Sequence, residues 1–251
     1  MDSQKAQNSS SLDTRININN QYSKNNLNDW IFSLLSLKID SNILDLCCGR
    51  GNQSFKFAEI CNQGTVYTLD MSEGSLSEID SKEIKNIKTI QMNIDFLSNA
   101  PFKENYFDVI HCAYGLYYAK DATKIIAKAV KLLKQDGILI VVGPTDDNNR
   151  ELFDFIDQLY PIDKDIIFMS RDFMNSLVVP TAEKFFSKVN KNYFNNEVTY
   201  PTVESLYSYF KSSTMFKEEY DQKIKAIIDN HFLSNDKFVI TKKAMGMVAK
   251  K

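Results

Sequence analysis

The stretch Asp45-Leu-Cys-Cys-Gly-Arg-Gly51 puts a carboxylate and two glycines where an apolar run gives way to a helix candidate. Glycines let a backbone approach a ligand with no Cβ in the way. The helix that follows presents free N–H groups and a positive dipole end. Two ligand classes use such a turn. A dinucleotide fingerprint requires G-x-G-x-x-G, and Gly49-Arg-Gly51-Asn-Gln-Ser54 carries Ser at the third glycine. Its strand is also usually apolar up to the first glycine. Asp45, four residues before Gly49, would face a pyrophosphate badly and suits a cationic ligand instead. Asp45 and Asp70 each read alone as strand-end caps; with the glycines between them they read as one binding constellation.

The elements that must position these residues alternate along the chain. Leu27, Trp30, Ile31 and Leu34 fall on one helical face and predict a helix over Leu27–Leu37. Strands are predicted at Asn42–Cys48, Thr65–Leu69, Ile87–Ile94, Tyr106–Cys112 and Ile138–Val142, with helices at Asn52–Asn62 and Asp121–Gln135. Apolar strands alternating with helices predict a parallel sheet covered on both faces. In such a sheet the ligand lies beyond the carboxyl ends of the strands. Beyond residue 143 the pattern changes to helices at Asn149–Tyr160, Thr181–Val189, Val203–Lys211 and Phe216–Asn230. Strands are expected near Tyr193–Thr199 and at Lys237–Ala249.

The composition fits one large domain or a domain with an insertion: 251 residues, 43% hydrophobic and 25% charged. Thirty Lys and Arg against 32 Asp and Glu give a net charge of −2, so no basic surplus points to nucleic acid. No apolar run approaches a membrane span. The polar first residues lack the apolar segment of a signal peptide and read as a flexible tail, so the expected location is cytoplasmic. Cys47, Cys48, Cys61 and Cys112 form no CxxC pair and read as free thiols, and no metal site is expected.

The run Ile43-Leu-Asp-Leu-Cys-Cys-Gly-Arg-Gly51 resembles the first motif of the class I S-adenosylmethionine-dependent methyltransferases. The likeness continues through Leu69-Asp70, Asp95 with Pro101-Phe102 and Tyr106-Phe-Asp-Val-Ile110, and Leu132-Leu-Lys-Gln-Asp-Gly137. It covers about residues 30–143, more loosely the C-terminal strand, and is similar to the ubiquinone/menaquinone methyltransferase core. One position departs from the family: Cys47 stands where a motif glycine is usual.

The resemblance implies a doubly wound, seven-stranded, mostly parallel sheet with a helical insertion before an antiparallel C-terminal strand. Its divisions are a tail over 1–14, a cofactor-binding core over 15–143, an acceptor-covering insertion with strand six over 144–235, and a closing strand over 236–251. It also implies S-adenosyl-L-methionine as cofactor. Asp45 would lie under the methionine amino group, with Cys47, Gly49 and Gly51 along the methionine and ribose. Asp70 would accept from the ribose hydroxyls and Met71 would pack on the adenine. Asp95, or Asn93 in a competing alignment, would meet the adenine amino group beside Phe96, and Cys112 would border the methionine moiety.

Methyl transfer from a sulfonium is an in-line displacement in which the protein chiefly holds the acceptor close and aligned. Tyr114, Tyr117 and Tyr118 follow the fourth strand, where aromatic faces can stabilise a positive methyl group. Tyr114 and Tyr117 are the acceptor-site candidates. No base is assigned; Tyr114 and His111 are the candidates, and His111 is expected to face the core. The insertion's Phe153, Phe168, Phe173, Phe185, Tyr200, Tyr207 and Phe210 suit a planar acceptor and a helical core equally. The expected function is methylation of a small molecule. A methyltransferase of RNA or protein, and a non-catalytic cofactor-binding domain, are the alternatives, and a homodimer stays open.

Overall fold

The computed structural model describes residues 9–251. The expected tail over 1–14 lies outside the described residues as far as residue 8. From Ser9 the chain is helical instead, as α1 (Ser9–Tyr22). Tertiary packing explains the difference. Ile18 and Tyr22 pack against a buried aromatic cluster, and the Tyr22 ring lies 6.1 Å from that of Tyr200.

The order then runs α2 (Leu27–Ser33), β1 (Ile43–Leu46), α3 (Asn52–Ile60), β2 (Val66–Asp70), α4 (Glu73–Asp80), β3 (Ile87–Gln91) and β4 (Phe107–Ala113). Next come α5 (Ala122–Leu132), β5 (Leu133–Pro144), α6 (Arg150–Asp157) and α7 (Lys164–Ile167). Two π-helical stretches, Phe168–Asp172 and Met174–Val178, lead into α8 (Val179–Phe185). The chain ends with β6 (Lys188–Tyr200), α9 (Val203–Lys211), α10 (Asp221–Phe232) and β7 (Phe238–Lys250).

The seven strands form one sheet in the order β3-β2-β1-β4-β5-β7-β6. β1 pairs in parallel with β2 and β4, and β5 in parallel with β4. β7 runs antiparallel to β5, from Ile138 opposite Lys250 to Pro144 opposite Ala244. The strand order thus reverses at β1, which places the expected crevice at its carboxyl end. All four residues of β1 are buried, which explains a strand that reads as one apolar run interrupted by Asp45.

By contacts the chain forms two units. One comprises Asn28–Thr145, Asp172–Tyr193 and Ala244–Lys251. Its core joins Leu44, Leu46, Phe107 and Ile110 of the sheet to Ile126 and Ala129 of α5 and to Met174, Val178 and Ala182. The other comprises the residues up to Leu27, Asp146–Arg171 and Phe194–Lys243. Its core is Leu152, Phe153 and Ile156 with Tyr200, Leu206, Phe210, Ile224 and Ile228. The expected insertion over 144–235 is therefore divided. Residues 172–193 belong with the sheet, because Phe173, Met174, Val178 and Val179 are buried in its core. The helix expected over Thr181–Val189 ends at Phe185, and Lys188 begins β6.

Asp108, motif-like in sequence, is structural. Its Oδ2 accepts from the Asn42 N–H at 2.8 Å and from Lys134 Nζ at 2.8 Å, tying the start of β1 to β4 and β5. Among the described residues no helix is long and apolar enough to cross a membrane.

β7 is an inner strand, and Met245, Met247 and Ala249 are fully buried. Deleting residues from Phe238 onward would expose both the flank of β5 and its apolar face. The truncated chain is expected in the insoluble fraction on expression. Recovery of a soluble chain with an unchanged circular-dichroism spectrum would contradict this.

Candidate active site

The carboxyl end of β1 is organised around one buried charge. Asp45 is 1% exposed and both carboxylate oxygens are engaged. Oδ2 accepts from Ser54 Oγ at 2.5 Å, and Oδ1 meets His111 Nδ1 at 2.7 Å. Burying a carboxylate costs several kcal/mol unless it is paired and hydrogen-bonded, on the order of the 3–5 kcal/mol lost when one partner of a buried pair is removed. Ser54 lies in the first turn of α3, and His111 is the register neighbour of Asp45 on β4. One side chain thus fastens three elements. His111 is itself 1% exposed, with its ring 5.3 Å from that of Phe57, so it faces the core as expected. Its Nε2 is buried and has no hydrogen-bond partner among the described residues.

Between these fixed points the loop makes a tight left-handed path. Cys47, Gly49 and Gly51 have φ of 53°, 53° and 82°. Gly51 needs to be glycine twice over, since a Cβ there would also lie 2.9 Å from Ile79 Cγ1. Around Gly49 the space is open to 4 Å, so the backbone is bare toward the crevice. Cys48 turns the other way and packs with Leu76 and Ile79 of α4. Burial, with the Asp45 and Asp70 carboxylates nearby, pushes its thiol well above the ordinary range.

Asp70, the last residue of β2, closes the loop from the opposite side. Its Oδ2 accepts from the Gly49 N–H at 2.9 Å and its Oδ1 from the Ser72 N–H at 2.9 Å. Ser72 caps α4, a helix that the sequence reading did not predict. Its signal was available: Ser72 before Glu73, then Leu76 and Ile79 three apart. Beside Asp70, Met71 is 50% exposed.

At the end of β3 the competing candidates Asn93 and Asp95 stand together. The Asn93 side chain accepts from the Asp95 N–H at 2.9 Å and caps the 3-10 turn Ile94–Asn99. Asp95 Oδ1 accepts from the Lys120 N–H at 2.8 Å, and Phe96 is 57% exposed.

After β4 the chain bends sharply. Tyr114 has a left-handed φ of 54° and is 37% exposed, with its N–H bonded to the Val142 carbonyl at 2.8 Å. Tyr117 lies partly buried, its ring 4.7 Å from Tyr118 and 6.0 Å from Phe173. Cys112 is buried at the end of β4, and its sulfur and that of Cys47 both lie against Gly115. The neighbouring Cys47 side chain and then burial push its thiol well up.

The structure therefore brings Asp45, Cys47, Gly49, Gly51, Asp70, His111 and Cys112 into one cluster at the strand ends. Met71, Asn93, Asp95 and Phe96 follow the carboxyl ends of β2 and β3, and Tyr114 and Tyr117 that of β4. Sequence reasoning missed Ser54 and Ser72 as partners, and Gly115 and Phe173 as packing neighbours. Phe153, Tyr200 and Phe210 of the insertion are buried, and Tyr207 is bonded through its hydroxyl to Asp221, so these four build the helical core. All four cysteines are free thiols. Among the described residues no group of three or more His, Cys, Asp or Glu is arranged to hold a metal ion.

A family profile described as "Methyltransferase domain" matches residues 37–196. The chain is 30% identical over 202 residues to a demethylmenaquinone methyltransferase of Lactococcus lactis, spanning 76% of this chain and 72% of that one. It is 26% identical over 150 residues to a ubiquinone/menaquinone biosynthesis C-methyltransferase of Francisella tularensis. That match spans 57% of this chain and just over half, 56%, of the relative. The fold matches the YcgJ protein of Bacillus subtilis with a TM-score of 0.63 at 16% identity, over 89% of this chain and 97% of that one. A putative methyltransferase of Bacillus halodurans gives 0.57 at 15% identity, over 90% and 98%.

Replacing Asp45 by Ala would strand the buried His111 and Ser54 without their shared acceptor. The expected loss is about 3 kcal/mol in urea denaturation. Asp45→Asn, which keeps the shape, should lose less. Equal stability of Asp45→Ala and the parent chain would refute the structural role given to this carboxylate.

Proposed function

We propose an acceptor class and a set of residue roles from one premise: the chain belongs to the methyltransferase-domain family and is a class I S-adenosylmethionine-dependent methyltransferase. The proposed acceptor is a small planar molecule, and the proposed cofactor residues are those gathered at the ends of β1, β2, β3 and β4. The observation that carries the cofactor half is the Asp70–Gly49 contact, which sets a carboxylate beside a bare, left-handed backbone at the sheet's reversal point.

The residues fit the cofactor chemically. The loop residues Cys47, Gly49 and Gly51 would border the methionine and ribose, with Cys112 beneath them. Asp70 has lone pairs left after its two N–H bonds and would accept from the ribose hydroxyls. Exposed Met71 and Phe96 offer apolar faces for the adenine, and Asp95 or Asn93 an acceptor for its amino group. Asp45 is best assigned as the residue that positions this loop, because both its oxygens are already engaged inside the protein. When bound, the cofactor supplies a methyl group on a sulfonium, which departs as a neutral thioether.

The chain's own part is orientation and exclusion of water. Tyr114 stands one residue beyond β4, held in a left-handed conformation by its bond to Val142. Tyr117 and Phe173 stack edge to face behind it along the chain. Aromatic faces at this place suit a flat acceptor and stabilise positive charge by about 0.5–2 kcal/mol per ring. The quinone-pathway names of the relatives support the same class. The burial of His111 and its bond to Asp45 argue against its acting as the base. No basic surplus in the chain favours an RNA acceptor.

Asp70→Ala should weaken S-adenosylhomocysteine binding by about one to two powers of ten, from the loss of charged hydrogen bonds worth roughly 1.5–3 kcal/mol. Isothermal titration reads this directly, and unchanged affinity would remove β2 from the ribose site.

Tyr114→Ala should cut methyl transfer to a demethylmenaquinol-type quinol, followed with labelled S-adenosylmethionine, while cofactor affinity stays within a few-fold. Labelling of RNA or protein and not of the quinol would replace the small-molecule reading.

A further inference from the structure

We propose that Cys47 and Cys112 form a redox modification site, in which a peroxide-driven disulfide between them weakens cofactor binding. The inference rests on the reading of the Cys47–Gly51 loop as part of the cofactor site.

Two observations place the two sulfurs together. Leu46 is the register partner of Cys112 on neighbouring parallel strands, so Cys47 follows directly at the end of the same pair. With strands about 4.8 Å apart and a rise of about 3.3 Å per residue, the diagonal from Cys47 to Cys112 is about 6 Å, inside the Cα separation of roughly 4.4–6.8 Å that a disulfide spans. Both side chains also press on one point of the backbone: a Cβ built on Gly115 would lie 2.3 Å from Cys47 Cβ, 2.9 Å from Cys47 Sγ and 3.3 Å from Cys112 Sγ. Gly115 thus leaves room for a sulfur pair that any larger residue would force apart.

The other cysteines are arranged differently. The neighbouring Cys48 aims its sulfur at the Gly49 carbonyl, 3.6 Å away, and packs on α4. Cys61 is fully buried at the far end of α3. Only Cys47 is partly exposed, whereas the other three are buried. An oxidant arriving through the crevice therefore meets Cys47 first, and Cys112 is the thiol within reach to resolve it.

The chemistry balances with hydrogen peroxide as the oxidant. The Cys47 thiolate attacks one peroxide oxygen, the O–O bond breaks, and Cys47 becomes a sulfenic acid as hydroxide leaves. The Cys112 thiolate then attacks the Cys47 sulfur and expels the second hydroxide. The two thiol protons convert both hydroxides to water, so two thiols and one peroxide give one disulfide and two waters. The neighbouring Cys47 side chain and burial hold the Cys112 thiol high, so the resolving step should quicken as the pH is raised.

The consequence follows from geometry. Forming the bond draws the two sulfurs from nonbonded contact to about 2.05 Å. Cys47 sits in a left-handed conformation between Asp45 and Gly49. Pulling it toward β4 must shift the loop whose Gly49 N–H is bonded to Asp70. The thiols are the binding-competent form, and the disulfide is the weakened one.

The test uses the full chain, reduced, desalted and then treated with hydrogen peroxide at mildly alkaline pH. Non-reducing peptide mass spectrometry should find Cys47 linked to Cys112, with the same link in a Cys48→Ala variant. Oxidised protein should bind S-adenosylhomocysteine about tenfold or more weakly than reduced protein, and dithiothreitol should restore the affinity. In Cys112→Ala the peptide map should show no disulfide at Cys47, and Cys47 should instead be recovered as a sulfenic acid by dimedone labelling. Absence of the link, or a linked protein that binds as tightly as the reduced one, overturns the proposal. Failure of the reduced protein to bind S-adenosylhomocysteine overturns instead the reading of the loop on which it rests.

Discussion

A carboxylate sealed inside the protein at the end of β1 sets the terms for everything around it. Asp45 cannot be left unpaired in a medium of low dielectric, so the fold must supply partners on both sides. It does so from two different elements, Ser54 on α3 and His111 on β4. The carboxylate fixes where α3 starts relative to the strand it follows and how β4 lies beside β1. The loop between Asp45 and Ser54 has to cross a set distance in a set number of residues. It does so only by taking left-handed turns at Cys47, Gly49 and Gly51. The bare backbone of the crevice is a product of that constraint.

The second carboxylate works from outside the core. Asp70 ends a strand and fastens the Gly49 N–H on one side and the start of α4 on the other. Two acids on neighbouring strands thus divide the work: one holds the loop from beneath and the other presents its edge to the crevice. On the opposite flank the left-handed Tyr114 performs a similar turn after β4. Non-glycine residues in this conformation are uncommon and cluster where surrounding structure over-determines them. Cys47 and Tyr114 each stand one residue beyond one of the two strands that meet at the point of reversal.

Much of this was legible in the residues. The alternation of apolar strands and helices through residue 143 gave the parallel sheet, since each strand's apolar run reflects burial on both faces. Asp45, the glycines and Asp70 were singled out by type and spacing, and the structure assembles them at one place. The helix α4 was missed although its cap and spacing were present, because eight residues supply few periodic positions. The part of α1 before residue 15 was read as tail because its polar sequence carries little amphipathic signal; Ile18 and Tyr22 hold the helix through packing with distant residues. Packing likewise lay beyond the sequence for residues 172–193, which read as insertion and bury Phe173 and Met174 in the core of the sheet.

The sequence by itself determined a parallel sheet with the binding loop after its first strand, because these follow from local periodicity and from residues close together in the chain, and its motifs carried the resemblance that named the chemistry. Only the tertiary structure decided what each site residue touches. Sixty-six positions separate Asp45 from His111, and nothing local couples them. Their pairing, the turning of Cys47 toward Cys112 while Cys48 faces α4, and the meeting of Tyr117 with Phe173 depend on strands from remote parts of the chain lying side by side. The physical reason is that a buried charge or thiol is defined by its neighbours, and a parallel sheet draws those neighbours from far along the sequence.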